Sequence, residues 1–146
     1  MRRIYFLLAS ALIFILAASN SSYAQDEPKG HLYTVTTWKF SIPQDGSPAE
    51  LDSLLKVYHD KIVVKNDKII SQKVWRHYWG TDLRDWVVVS EFATWDDIEA
   101  AGDVSNILGK EAWPEKADRQ KFFKTFYKYV VTHSDEIFTD QPDLAK

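Results

Sequence analysis

The eight residues Trp86–Ala93 carry apolar side chains on both of their alternating sets, Trp86, Val88 and Phe92 on one and Val87, Val89 and Ala93 on the other. A strand of that pattern has no face suited to water and is expected to be covered on both sides. Any fold for this chain must therefore supply two covers for one strand.

The flanking sequence supplies one cover readily. His31–Phe40 is rich in Thr, Val, Tyr and Trp and reads as a first strand, ended by Pro43, Gly46 and Pro48. Ser47, Pro48 and Glu50 spell a helix start with a capping box, and Leu51, Leu54, Leu55, Tyr58 and Ile62 follow at helical spacing to about Val64. Asn66 and Asp67 turn the chain into a second strand, Lys68–Trp79. Gly80, Thr81, Asp82 and Asp85 form the hairpin loop into the third strand. Thr94 and Asp97 cap a helix carrying Ile98, Ala101, Val104 and Leu108, which Gly109 and Pro114 are expected to interrupt. A further helix from about Glu115 places Phe122, Phe126, Tyr129 and Val130 on one stripe, and Asp135–Thr139 reads as a short last strand.

Strand, helix, strand, strand, helix pair, strand is the split βαβ order of an α+β, ferredoxin-like fold with an antiparallel sheet and helices on one face. Helices cover only one side of such a sheet, so the second cover for Trp86–Ala93 is expected from another copy of the chain. On this order of elements, on Val74, Trp75, Arg76, His77, Tyr78 and Trp79, and on the passage Val88–Glu99, the chain resembles the dimeric α/β-barrel superfamily. The resemblance implies a homodimer of two ferredoxin-like protomers packed sheet to sheet around a cavity. The superfamily is functionally diverse: it includes cofactor-free monooxygenases acting on aromatic polyketides, haem-binding and haem-degrading proteins, small-molecule isomerases or lyases, and ligand sensors. The fold alone chooses none of these.

The amino end bears on where the protein acts. Arg2 and Arg3 precede an apolar run, Ile4–Ala18, and the small residues Ser22 and Ala24 follow. This is the layout of a signal peptide over residues 1–24, with cleavage after Ala24 and a single domain over 25–146. The run is shorter than the ~20 residues that cross a bilayer. The expected product is exported, to a periplasm or beyond, with no membrane attachment after cleavage. The peptide removes two of the 18 basic residues and none of the 21 acidic ones, which leaves a net charge of −5. An acidic domain is a poor partner for nucleic acid or an anionic membrane. The absence of cysteine excludes disulfides, thiolate catalysis and cysteine-ligated metal sites.

Candidate chemistry lies on the strands. Alternation puts Glu91 on the face of Val87 and Val89, a costly place for a carboxylate unless it is paired or wetted. With His77 it forms a candidate proton-handling pair for catalysis; the alternative is a Glu91 near the strand end, open to solvent or paired with Lys39 or Arg76, and a His77 that merely fills the sheet. Trp38, Trp75, Tyr78, Trp79 and Arg76 are candidate ligand-binding residues for a flat aromatic molecule, or else the packing of a dimer's inner face. His133 and Asp135 would face the same way on a strand, but no third ligand stands near, so no metal is assigned. His59 flanks the stripe of the first helix beside Asp60 as a solvated or rim residue. No phosphate-binding loop, nucleophile elbow or His-Glu-x-x-His pattern is present. The expectation is an exported small-ligand-binding homodimer with an aromatic cavity between sheets, its cofactor undetermined. The alternative is a cofactor-free or haem-dependent monooxygenase-like enzyme acting on an aromatic substrate.

Overall fold

The computed structural model describes residues 30–145, so the expected signal peptide and its cleavage site lie outside the described residues. Four strands and three helices follow one another as β1 (Leu32–Phe40), α1 (Pro48–Lys61), β2 (Ser71–Arg76), β3 (Asp85–Phe92), α2 (Trp95–Ala112), α3 (Lys116–Tyr127) and β4 (Val130–Thr139). The sheet has the order β2-β3-β1-β4, every neighbour antiparallel, with β2 and β4 at its edges. This is the expected α+β ferredoxin-like topology.

The register assigns each side chain to a face. Val35 lies opposite Val89 and Trp38 opposite Trp86 on β1 and β3, while Trp75 of β2 lies opposite Val87. Phe40, Trp38 and Trp86 pack with Leu51, Leu54 and Leu55 of α1, Phe126 of α3, and Tyr129. The helices thus cover the face of Trp38, Trp86, Val88 and Phe92. The face of Val35, Val87, Val89, Trp75 and Glu91 has no covering element among the described residues. Half of the demand made by the third strand is met inside one chain.

α1 begins as its capping sequence requires, with the Ser47 side chain accepting from the Glu50 amide at 3.1 Å. The return half of the box is relayed. The Ser47 amide donates to the Tyr129 hydroxyl at 3.0 Å, and that hydroxyl donates to the Glu50 carboxylate. A Cβ on Gly46 would sit 2.6 Å from the same hydroxyl oxygen, so only glycine lets the turn before α1 approach the phenol this closely.

The expected boundaries of four elements are corrected. The second strand is shorter than Lys68–Trp79. At its start, the buried Asn66 accepts from the Lys68 amide at 3.1 Å and holds a turn; at its other end the strand stops at Arg76, and the chain bends at residues 79–81, where Gly80 takes φ +143°. The helix after Thr94 is not broken at Gly109 but runs on to Ala112. It stops there because Trp113 precedes Pro114, and the proline ring disfavours helical geometry in the residue before it. The following helix ends at Tyr127, so Tyr129 and Val130 leave its stripe. The last strand instead starts at Val130, where β-branched Val130, Val131 and Thr132 extend the pairing with β1 through a register shift at Lys39 and Phe40.

Asn66 also donates to the Ala101 carbonyl and to Ser105 Oγ, each at 2.9 Å, and so fastens α2 to the turn before β2. Asn66→Ala leaves the buried Ala101 carbonyl and the Lys68 amide short of partners. It is expected to lower stability by about 1–3 kcal/mol, read as a reduced midpoint with unchanged slope in urea unfolding.

Candidate functional site

Under α1 and α3, against the covered face of the sheet, lies a cavity of about 460 Å³. Its floor is Val74, Val88 and Gln72, together with the indoles of Trp38 and Trp86; its walls are Tyr58 and Leu55 of α1 and Phe122, Phe123, Phe126 and Tyr127 of α3. The space persists because rings meet edge to face and brace one another. Trp38 and Phe126 are 5.8 Å apart between centroids, Phe40 and Trp86 5.8 Å, Phe40 and Phe126 5.9 Å, and Tyr58 and Phe123 6.4 Å, all near perpendicular. Small or β-branched residues on the floor, below such props, leave a volume that the rings cannot close without abandoning their contacts.

Among the described residues, no carboxylate lines this space. Its polar groups are Gln72 on the floor, the hydroxyls of Tyr58 and Tyr127, and Lys56 and His59 on the α1 side. Gln72 is anchored to the buried Ser90 by a 2.9 Å hydrogen bond. Burial, reinforced by Tyr127, raises the pKa of the Tyr58 hydroxyl and keeps it protonated. At the rim, Asp60 accepts from Lys56 Nζ at 2.7 Å and lies 3.2 Å from His59 Nδ1. These two contacts, Lys56 the stronger, hold the Asp60 carboxyl below its usual range.

Distinct from the expected cavity between two sheets, this space lies between sheet and helices of one protomer and opens to solvent beside the half-exposed Val74 and Tyr127. Trp38 lines it. Arg76 lies beside it, its guanidinium 5.2 Å from the centre of the Trp86 ring. Trp75 points to the uncovered face, and Tyr78 and Trp79 are almost fully exposed in the β2–β3 hairpin. His77 Nε2 lies 2.6 Å from the Trp79 carbonyl in the same hairpin.

His77 and Glu91 are not brought together. Glu91 pairs with Ser71 at the start of β2, whereas His77 follows the far end of that strand, some six residues or ~20 Å away. The histidine near Glu91 is His31, with Nδ1 2.6 Å from Oε1; Ser71 Oγ donates to Oε2 at 2.5 Å and the Tyr33 hydroxyl to Oε1 at 3.4 Å. Ser71 and then His31 lower the pKa of the Glu91 carboxyl, which stays ionised on the uncovered face. Lys39 instead pairs with Asp82 and Asp85 at the opposite end of the sheet. His133 and Asp135 do share a face, 2.9 Å apart, and Trp38 stacks on the His133 ring at 4.6 Å. Among the described residues, no group of three or more acidic, histidine or cysteine side chains is placed to hold a metal ion.

Sequence reasoning missed most of the cavity wall. Phe122, Phe123, Phe126 and Tyr127 recur at i, i+1, i+4 and i+5, a broader aromatic surface than packing on one sheet requires, and that doubled spacing was the available signal.

No protein-family model matches the chain, and no curated protein matches it. Solved structures do. SnoaB from Streptomyces nogalater, described as a cofactor-independent oxygenase, is 12% identical with a TM-score of 0.50, over 80% of this chain and 99% of that one. A protein from Caulobacter crescentus CB15, provisionally named an antibiotic biosynthesis monooxygenase, is 14% identical with a TM-score of 0.52, over 79% and 93%. A dimeric ferredoxin-like protein from an uncultured marine organism is 10% identical with a TM-score of 0.55, over 81% and 94%. At these identities the likeness is one of fold.

The Glu91 cluster has a pH signature. Because its carboxyl is held below the ordinary value of about 4.3, its contribution to stability is full above that value and is lost as pH falls through the depressed one. Glu91→Gln is expected to lower the melting temperature at pH 7 by roughly 3–6 °C, and the gap to the parent should narrow below about pH 4.

Proposed function

We infer that this chain is an exported, homodimeric small-molecule-binding protein that takes a flat, largely apolar aromatic ligand between its sheet and its helices. The observation that carries the reading is the cavity. Its volume of about 460 Å³ falls within the roughly 300–1,000 Å³ of small-molecule sites, and eight of its fifteen lining residues are aromatic. Planar rings stack on or abut such walls, and the few polar groups are left to orient them.

Homodimerisation is supported by the uncovered face. Val35, Val87 and Val89 are only partly buried there, and Trp75 is 54% exposed. A second sheet laid on this face would complete the cover that β3 calls for, and one neighbour of the same fold is described as dimeric. Export rests on the arginine pair, apolar run and small-residue site of residues 1–24.

A second reading is an oxygenase acting on an aromatic substrate, without a cofactor or with haem. The observation favouring it is that a neighbour at a TM-score of 0.50 is a cofactor-independent oxygenase. Dioxygen uptake on adding a hydroxylated tricyclic aromatic to the purified protein, with and without haem, separates catalysis from binding alone.

Titration with flat aromatics is expected to quench Trp38 and Trp86 fluorescence saturably at micromolar concentration. Val88→Phe fills the floor and should weaken binding at least tenfold while the fold persists. Absence of saturable quenching would remove the ligand reading. Light scattering during size exclusion should report a dimer for the parent and a monomer for Val87→Asp; a monomeric parent would end the dimer reading. The intact mass of the exported protein should correspond to a chain starting at Gln25.

A further inference from the structure

We propose that the ligand of this cavity carries an acidic hydroxyl, as a phenol does, and that His59, oriented by Asp60, is the group that receives its hydrogen bond. The inference rests on the ligand reading above and specifies which member of that ligand class the site selects.

The cavity floor and walls offer rings and aliphatic groups almost throughout, and an unsubstituted hydrocarbon would satisfy them. The α1 side is different. Lys56, His59 and Asp60 share one edge, and the two cationic or cationisable members line the cavity while the carboxylate does not. Asp60, ionised and bonded to Lys56 at 2.7 Å, can only accept, so the 3.2 Å contact from His59 Nδ1 places the ring proton on that nitrogen. In the neutral imidazole this leaves Nε2 as a lone-pair acceptor, and no hydrogen bond from another described residue occupies it. A lone-pair acceptor beside an ammonium, both on residues that line a space to which no described carboxylate contributes, matches an O–H group with anionic character: the hydroxyl hydrogen would meet Nε2 and the partial negative charge on its oxygen Lys56.

The remaining titratable groups on the lining do not compete for this role. Tyr58 and Tyr127 carry hydroxyls that donate as readily as they accept, so they do not distinguish a hydroxyl from its ether. Gln72 is already bonded to Ser90. A neutral ether of the same ring system would fill the same volume but offer Nε2 no hydrogen, and because the His59 side chain is half exposed the resulting preference is a moderate one.

The test compares 2-hydroxyanthraquinone with its methyl ether, 2-methoxyanthraquinone, by tryptophan quenching of the full mature protein. The parent is expected to bind the phenol about tenfold more tightly than the ether. In His59→Phe, which keeps a planar ring but no acceptor, the two affinities should converge, the ether binding as it does to the parent. Asp60→Asn should retain only part of the preference, and Lys56→Met should reduce it through loss of the charge. The preference is a ratio within one variant, so a change in stability does not imitate it. Saturable binding of both compounds by the parent with equal affinity overturns the proposal and leaves the cavity reading standing. A preference that survives in His59→Phe overturns the role of His59. Failure of both compounds to bind overturns the cavity reading and the proposal together.

Discussion

The phenol of Tyr129 is the contact on which the arrangement of this protein depends. Its ring is fully buried with Phe40 and Leu51, and its hydroxyl stands inside the amino-terminal cap of α1, accepting from Ser47 and donating to Glu50. Its own carbonyl accepts from the Ser41 amide at 2.9 Å, just past the end of β1. One residue thus joins the exit of β1, the entry to α1 and the entry to β4. Lys128 adds a charge to the same cap through Glu50 at 3.0 Å. Fixing the first turn of α1 fixes where Leu55, Tyr58 and His59 stand further along it, and hence one wall and the rim of the cavity. The shape of the site is set nearly three turns from the residues that form it.

Much of this fold is legible from sequence because its signals are local. Ser47, Pro48 and Glu50 start a helix through short-range hydrogen bonding, and the alternation of Trp86–Phe92 sorts side chains between faces without knowledge of any partner. The same alternation places Glu91 correctly beside Val87 and Val89. What escapes is non-local. That the capping box closes through a tyrosine 79 residues away depends on the tertiary fold, and so does the choice of His31 over His77 as the histidine near Glu91. Trp75, His77 and Trp79 would share a face only if β2 ran straight to Trp79, but the strand ends at Arg76 and the chain folds into a hairpin in which His77 Nε2 meets the Trp79 carbonyl.

The candidate site was harder to read than the fold for a related reason. Cavities arise where packing is incomplete, and incompleteness is a property of several elements at once. Phe122, Phe126, Trp38 and Trp86 each have the signature of ordinary core residues, and each does pack on its neighbours. Only the combination of bulky rings from α3 with the small floor residues Val74 and Val88 leaves space between them. The uncovered sheet face, by contrast, was visible at once, because one strand with two apolar sets declares its need for two covers. The two faces thus differ: the helical side borders the cavity, and the open side presents Val35, Val87, Val89 and Trp75.

The edge position of β4 carries one more consequence. Ten residues long and exposed along nearly its whole length, it presents Val131, Ile137 and Phe138 together with a backbone edge that pairs with no other strand among the described residues, the features from which strands recruit one another into fibrils. His133, Asp135 and Glu136 interrupt that run at its centre. Two like-charged carboxylates brought into register with those of an identical strand repel, so the acidic middle of β4 acts as a gatekeeper against ordered aggregation. The residues that resembled half of a metal site thus stand where charge most disfavours the stacking of identical strands.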